Sequence, residues 1–293
     1  MRALAILGPN AVERDLAPFR AAVAKIIAVE SVELANARPS SDAVLVLGGD
    51  GTVQRQLAAL VRLQIPLLVV PAGSANDFAR ALGLRTRAQA LRAWAKFVRS
   101  GNNVRQIDVG VLRFAGEGTP TPEGARAAPS EGPGARGTPQ PVYFSCAAGA
   151  GVDAEAARRA NSLPGWLRRR GGYFLAAIPA LLTFRAQRLT LSSGEQDGHF
   201  GRTLCESGIL AVAANAPWYG HGMHIAPRVE LDDGKLDVCF VREVGKLRLL
   251  RLFPKVYRGA HIGIPQVEYF RATRVRIESE TPLGVHADGE LVA

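Results

Sequence analysis

Two glycine-bearing turns near the start of the chain constrain its fold more than any other feature. They are Gly48-Gly49-Asp50-Gly51-Thr52 and Pro71-Ala72-Gly73-Ser74-Ala75-Asn76-Asp77. Each follows an apolar run, Ala43–Leu47 and Pro66–Val70. Each precedes apolar residues at helical spacing: Leu57, Leu60 and Val61 after the first, Phe78, Leu82 and Leu84 after the second. Near-continuous apolar runs are expected of strands covered on both faces, as in a parallel sheet. A buried strand, a glycine turn and a helix start place backbone N–H groups at the C-terminal edge of that sheet. Phosphate is drawn there, because a helix N-terminus carries unpaired donors and a partial positive charge. Glycine lets the phosphate come close to the backbone. Asp50 would repel the phosphate itself, and it makes sense if a divalent cation sits between them.

Residues 3–104 alternate strand-like and helix-like segments. Ala3–Leu7 is expected as a strand, Val12–Ile26 as a helix, and Leu91, Trp94, Ala95 and Val98 as one face of a later helix. This is a doubly wound, Rossmann-like α/β pattern. From Val104 the character changes. Val104–Phe114, Val142–Ala147, Arg188–Leu191, Gly208–Ala213, Lys235–Val241 and Arg274–Glu278 read as strands, with helices at Asp153–Asn161, Tyr173–Thr183 and Lys246–Tyr257. The expected plan is an α/β domain over 1–104 and a β-rich, sandwich-like domain over 105–293. Residues 115–141 hold six prolines and six glycines and no aromatic or large aliphatic side chain. Such a segment buries too little to offset its ordering entropy, so a disordered hairpin insertion is expected.

The net charge of +10 favours an anionic partner, either a nucleotide or an acidic membrane surface, although an arginine-rich genome produces the same balance. No zinc spacing or RNA-binding aromatic signature appears, so nucleic acid is not expected. Cys146, Cys205 and Cys239 are too few and too scattered for a disulfide framework, which points to a reducing compartment. The apolar run at the N-terminus is too short for a signal peptide, and Phe174–Phe184, interrupted by Pro179, is too short to span a bilayer. The stretch 163–174 mixes Trp166, Tyr173 and Arg168-Arg169-Arg170. It is a candidate for docking onto anionic lipid, and a solvated charge run beside a core helix is the alternative.

Together the two turns resemble those of the diacylglycerol kinase catalytic family, which includes bacterial lipid kinases and the sphingosine and ceramide kinases. The likeness extends along the chain. Tyr143–Ala154 resembles the family's mid-chain strand and glycine turn, and Gly220-His221-Gly222-Met223 with Ala226-Pro227 resembles its Gly-Gly-Gly-Met…Ala-Pro segment. Asp232-Asp233-Gly234-Lys235-Leu236-Asp237 and Asp288-Gly289-Glu290 resemble its two acidic signatures. The resemblance implies a two-domain fold with a nucleotide cleft, and transfer of the ATP γ-phosphate to a lipid hydroxyl. Diacylglycerol is the first acceptor it suggests, with ceramide or a sphingoid base as the alternative. It implies ATP and Mg²⁺ as cofactors, a cytoplasmic enzyme at the inner face of the membrane, and leaves a homodimer open.

The site residues follow from the motifs. Gly48, Gly49, Gly51 and Thr52 form one phosphate turn and Gly73, Ser74 and Asn76 the other, with Thr52 also a natural helix N-cap. By resemblance Asn76 and Asp77 contact the nucleotide, and Asp50 lies near the phosphates and the catalytic metal. The same resemblance makes Asp288 the base for the lipid hydroxyl, with Glu290 orienting it or the metal. On a strand these two would share a face; an exposed Asp-Gly turn is the alternative. Asp232, Asp233 and Asp237 offer oxygen ligands for a hard cation, a structural magnesium by resemblance, or else a plain turn before a strand.

Departures from the family pattern are Gly8-Pro9-Asn10-Ala11 where Asn-Pro-x-Ser-Gly is usual, with Arg14 as a substitute basic contact, and His221 in place of a glycine. Relatives also continue with further strands where this chain reaches Ala293. Competing readings are an NAD kinase-like enzyme, which the Pro-Ala-Gly-Ser-Ala-Asn-Asp turn opposes, and a non-catalytic lipid-binding relative, which the intact Asp50, Asp288 and Glu290 oppose.

Overall fold

The computed structural model describes residues 1–21, 25–31, 34, 41–114, 140–164, 173–194 and 199–292, with backbone alone at 173–175. The chain divides into two compact units, Met1–Ile107 and Asp108–Ala293. The insertion at 115–141, apart from its last two residues, and the Trp166 and Arg168–Arg170 cluster lie outside the described residues.

The first unit is built on a parallel sheet of β1 (Arg2–Leu7), β2 (Lys25–Ala28), β3 (Ala43–Gly48) and β4 (Leu67–Pro71), in the order β2-β1-β3-β4. The apolar run of β3 is buried along its whole length, as its composition predicts. Helices α1 (Ala17–Arg20), α2 (Asp50–Gln54), α3 (Leu57–Leu63), α4 (Asp77–Ala81) and α5 (Arg87–Ser100) complete the unit. Trp94 of α5 packs into the core with Phe19, Leu45, Leu47 and Val70, and its indole N–H donates to the Phe19 carbonyl at 2.9 Å. Thr86 opens α5 through a capping box. Its hydroxyl accepts from the Gln89 N–H while the Gln89 side chain accepts from the Thr86 N–H, a pairing worth about 1 kcal/mol.

The single helix expected over Val12–Ile26 does not form. A 3₁₀ turn at Glu13–Leu16 leads into the short α1, and the chain is extended again from Lys25. Ile26 and Ile27 pair in parallel with Ala3 and Leu4. Burying β-branched residues in the sheet outweighs their helical spacing. With β1 inside the sheet, the chain runs to one side for β2 and to the other for β3. The C-terminal ends of β1 and β3 therefore flank a topological switch point, where open α/β sheets bind ligands.

The second unit is an antiparallel sheet of β7 (Ala147–Gly151), β8 (Gln187–Gly194), β9 (Phe200–Ala214), β10 (Leu236–Arg242), β11 (Val267–Ala272), β12 (Arg274–Ser279), β13 (Val285–Ala287) and β14 (Glu290–Leu291). Their order is β11-β10-β9-β7-β13-β14, with β8 pairing β9 and β12 pairing β8. The fifteen-residue β9 organises it, pairing β8 through its first half and both β7 and β10 through its second. Helices α6 (Val152–Ser162), α7 (Tyr173–Thr183) and α8 (Lys246–Leu252) interrupt it, the last shorter than the expected Lys246–Tyr257 because a 3₁₀ helix takes over at Phe253–Arg258. The strand expected over Val104–Phe114 shrinks to β5 (Gly110–Leu112), paired with β6 (Val142–Phe144). Asp108 is instead tied to irregular backbone: its N–H donates to Leu231 and its carbonyl accepts from Asn215.

Gly220, His221 and Gly222 all have positive φ (58°, 67° and 92°) between the bridged residues Tyr219 and Met223. His221 thus holds a left-handed conformation that costs a non-glycine residue about 1–2 kcal/mol. Among the described residues no helix is long and apolar enough to cross a membrane.

Candidate active site

In the first unit the two glycine turns touch backbone to backbone. A Cβ on Gly73 would stand 2.4 Å from the Gly49 Cα, and one on Gly48 would stand 2.6 Å from the Thr52 side chain. Glycine is required here because of close approach. Asn76, itself left-handed at φ 57°, clamps the second turn: its Oδ1 accepts from the Gly73 N–H and its Nδ2 donates to the Gly73 carbonyl, both at 2.8 Å. Asp50 closes the assembly. Its two carboxylate oxygens accept from the backbone N–H groups of Asp77 and Phe78, each at 3.0 Å. The acid of one turn therefore caps the helix that follows the other. Nothing local in the sequence signals this pairing across 27 residues.

Other residues of this cluster sit as follows. Thr52 is not the N-cap; Gly49 holds that place, and Thr52 lies buried in the first turn of α2 against Gly8 and Gly48. Gly51 is half-buried at the start of α2, and Ser74 is exposed. Asp77 is buried at the start of α4, with the Arg80 guanidinium 3.6 Å away. The sequence-predicted residues Gly48, Gly49, Asp50, Gly51, Thr52, Gly73, Asn76 and Asp77 are thus brought together at the sheet edge. The Asp50 carboxylate oxygens are hard donors of the kind a divalent cation takes.

In the second unit Asp288 and Glu290 do not share a strand face. Asp288 and Gly289 are the two central residues of the turn joining β13 to β14, with φ of 49° and 82°, and Ala287 pairs with Glu290 across it. Positive φ at both positions is what a type I′ hairpin demands and explains Asp-Gly there. The turn is not simply exposed, however. It aims the Asp288 carboxylate at the start of β7. Oδ2 accepts from the Ser145 N–H (2.7 Å) and hydroxyl (2.8 Å), and Oδ1 from the N–H groups of Cys146 (2.7 Å) and Ala147 (3.1 Å). Burial pushes the Asp288 carboxyl up, and the donors at Ser145, Cys146 and Ala147 pull it back without cancelling the rise. Ser145 was not singled out by sequence reasoning. Glu290 is half-buried in β14.

Next to Asp288, the buried His286 ring lies 2.5 Å from the buried Asp153 carboxylate and stacks on Tyr219. Burial lowers the His286 pKa, but Asp153 and Asp288 outweigh it and the net direction is up. A folded-state pKa above the unfolded value gives stability that is full below about pH 6.5 and lost as pH rises through the folded value. The difference in melting free energy between the parent and His286→Phe is therefore expected to shrink as pH rises from about 6.5. A difference that stays constant or widens across that range removes the ion pair from the account of stability.

Asp232, Asp233 and Asp237 form no shared cage. Asp232 is exposed; Asp233 accepts from the Arg271 guanidinium at 2.6 Å and from the Lys235 N–H. Asp237 is fully buried, accepts from the Tyr269 hydroxyl at 2.6 Å and has its pKa raised by burial. Arg271 occupies the place of a cation between Asp233 and Asp237. Among the described residues no group of three or more His, Cys, Asp or Glu side chains is arranged to hold a metal ion. As they stand, these three side chains do not fit a magnesium site.

The second unit also holds a partly open cavity of about 110 Å³ with almost wholly apolar walls, including Ala156, Leu181, Leu210, Leu249 and Val256. Asp153 and Tyr219 line it too, and Asp153 ties the cavity wall to His286 on β13, the strand that leads into the Asp288 turn.

Comparison with known proteins matches both halves of the chain. Residues 12–112 fit the diacylglycerol kinase catalytic domain, and residues 146–293 fit the YegS C-terminal NAD kinase beta sandwich-like domain. The diacylglycerol kinase of Mycobacterium tuberculosis H37Rv is 31% identical over 252 residues, 85% of this chain and 71% of its own. The diacylglycerol kinase of Bacillus subtilis is 26% identical over 253 residues, 85% of this chain and 71% of its own. The crystal structure of a diacylglycerol kinase from Bacillus anthracis superposes with a TM-score of 0.63 at 20% identity, covering 98% of this chain and 89% of that one. At that identity the superposition speaks for the fold alone.

Proposed function

The chain belongs to the diacylglycerol kinase catalytic-domain family of lipid kinases, and on that premise we propose that its acceptor is the free hydroxyl of diacylglycerol, with Asp288 as the base. The observation that carries the role of Asp288 is its carboxylate, held by a left-handed turn against four donors and raised in pKa by burial. An ionised carboxylate has about four lone-pair sites, and all four are in use. Three of the donors are fixed backbone N–H groups. The fourth, the Ser145 hydroxyl, turns about one bond and frees a lone pair on Oδ2 for the incoming alcohol. The alcohol oxygen then attacks the γ-phosphorus, the bond to the β–γ bridging oxygen breaks, ADP leaves, and the alcohol proton passes to Asp288.

Family membership implies ATP as the phosphoryl donor. In this reading the touching turns around Gly49 and Gly73 receive the phosphates on backbone N–H groups other than that of Gly73, which donates to Asn76. Magnesium, when bound, neutralises charge developing on the phosphates, and Asp50 is the carboxylate of this unit suited to face it. The acyl chains enter the apolar cavity of the second unit.

The test is γ-labelled ATP offered with mixed vesicles of dioleoylglycerol, ceramide and sphingosine, and separately with NAD. Label is expected in phosphatidic acid. Label in NAD alone, or in no acceptor at saturating ATP and magnesium, overturns the reading.

A further inference from the structure

The acidic turn before β10 is held by an arginine. Asp237 on β10 lies directly across from Arg271 on β11, and Tyr269, two residues earlier, shares the face of Arg271. Asp237 is fully buried. Its Oδ1 accepts from the Tyr269 hydroxyl at 2.6 Å, and its Oδ2, which meets no hydrogen-bond donor, has the Arg271 Nε at 3.5 Å. Nη2 of the same arginine donates to Asp233 Oδ2 at 2.6 Å and to Glu230 at 3.3 Å. The other Asp233 oxygen accepts from the Lys235 N–H at 3.0 Å, and Asp108 accepts from the Gly234 N–H at 2.7 Å. Magnesium demands a near-octahedral set of oxygens at about 2.0–2.1 Å and gives up its water reluctantly. The guanidinium already fills the space between the Asp233 and Asp237 carboxylates that a bridging ion would need. It carries a fixed charge on a planar fork and is more weakly hydrated than a metal ion.

We propose that Arg271 is the structural cation of this turn. Its guanidinium does for Glu230, Asp233 and Asp237 what the family resemblance assigns to magnesium. The second unit therefore holds its form without a divalent ion, and the turn accepts magnesium only once Arg271 is removed. The strand register gives this latch a reach beyond the turn. Arg271 pairs with Asp237, Asp237 with Ala214 and Ala214 with Ala147, in one row across four strands. The Ala147 N–H donates to the Asp288 carboxylate, and the Ala147 carbonyl accepts from the Asp288 N–H. A loosened Asp237 thus lies two pairings from the backbone that holds Asp288. The proposal is independent of the acceptor and of any magnesium that arrives on ATP at the first unit.

The test is hydrogen–deuterium exchange of the full chain without nucleotide, in EDTA and in millimolar magnesium at equal ionic strength, read over residues 230–237 and 267–272. In the parent, both segments are expected to exchange alike in the two buffers. In EDTA, Arg271→Ala is expected to exchange both segments about tenfold faster and to lower the melting temperature of the second unit by about 4–8 °C, because a buried carboxylate loses its counter-charge. Magnesium is expected to return about half or more of each loss, and Asp233→Asn added to Arg271→Ala to abolish that return. Should Arg271→Ala stay unfolded in both buffers, the neutral but longer Arg271→Gln takes its place and is read in the same way. Slower exchange of 230–237 in the parent on adding magnesium puts the ion in the native turn and overturns the proposal. An Arg271→Ala protein that exchanges like the parent overturns it as well, and so does a loss that magnesium leaves untouched.

Discussion

Asp288→Asn is expected to lower kcat for the lipid acceptor by about 10²- to 10⁴-fold, the usual cost of losing a general base. The substitution suits the backbone, because asparagine tolerates the left-handed conformation that Asp288 adopts at φ 49°. It does not suit all four donors. An amide has one oxygen, which can serve the N–H groups of Cys146 and Ala147, and its NH₂ group must then face Ser145. The Ser145 hydroxyl can reverse and accept, but the Ser145 N–H is left unmet, at about 1–3 kcal/mol. The variant should therefore melt earlier yet cooperatively, and bind ATP as the parent does. Its loss should appear in kcat, since the base acts on the alcohol in the transition state. A variant that keeps more than half of the parent kcat removes Asp288 from the mechanism.

Gly73→Ala is expected to lower kcat/KM for ATP by about 10²-fold. The reason is steric rather than conformational, because a Cβ at this position stands 2.4 Å from the Gly49 Cα and 2.9 Å from its nitrogen. Neither atom is the free end of a side chain, so one turn must retreat from the other by about 1 Å. A displacement of that size in a positioned site costs about 10² in rate. The retreat also strains the Asn76 clamp on Gly73 and the Asp50 bonds to Asp77 and Phe78, which span the two turns. Gly201→Ala is the control: its new methyl meets nothing within 4 Å, and its kinetics should match the parent. If Gly73→Ala stays within threefold of the parent, the close approach of the turns has no part in nucleotide use.

Both outcomes depend on contacts that the sequence does not spell out. The Asp288-Gly289-Glu290 signature admitted two readings, acids on one strand face or an acidic hairpin turn. The structure combines a turn with a carboxylate held by fixed donors, because the I′ geometry swings Asp288 away from Glu290 and into the donors of residues 145–147. Asp50 is similar. Its place after a buried strand was legible, but its partners lie 27 and 28 residues on. Thr52 looked like a cap by residue type, yet Gly49 takes that role because Thr52 is needed under Gly8 and Gly48.

By itself the sequence determined what depends on neighbours along the chain. The uninterrupted apolar runs made buried parallel strands, the glycines made close turns, and the succession of short strand-like runs beyond Val104 marked the β-rich second half. The spacing of apolar residues placed α5, α6, α7 and α8. What depends on pairing across the chain came from long-range contacts. They made Ile26 an edge-strand residue rather than the end of a helix, gave Arg271 to the acids at 233 and 237, and set His286 against Asp153. They also left His261 Nδ1 and the Gln266 side-chain oxygen buried without a hydrogen-bond partner. Local propensities differ by less than about 1 kcal/mol per residue, whereas a buried charge or polar atom without a partner costs several times that. Where the two conflicted, the long-range partner set the outcome.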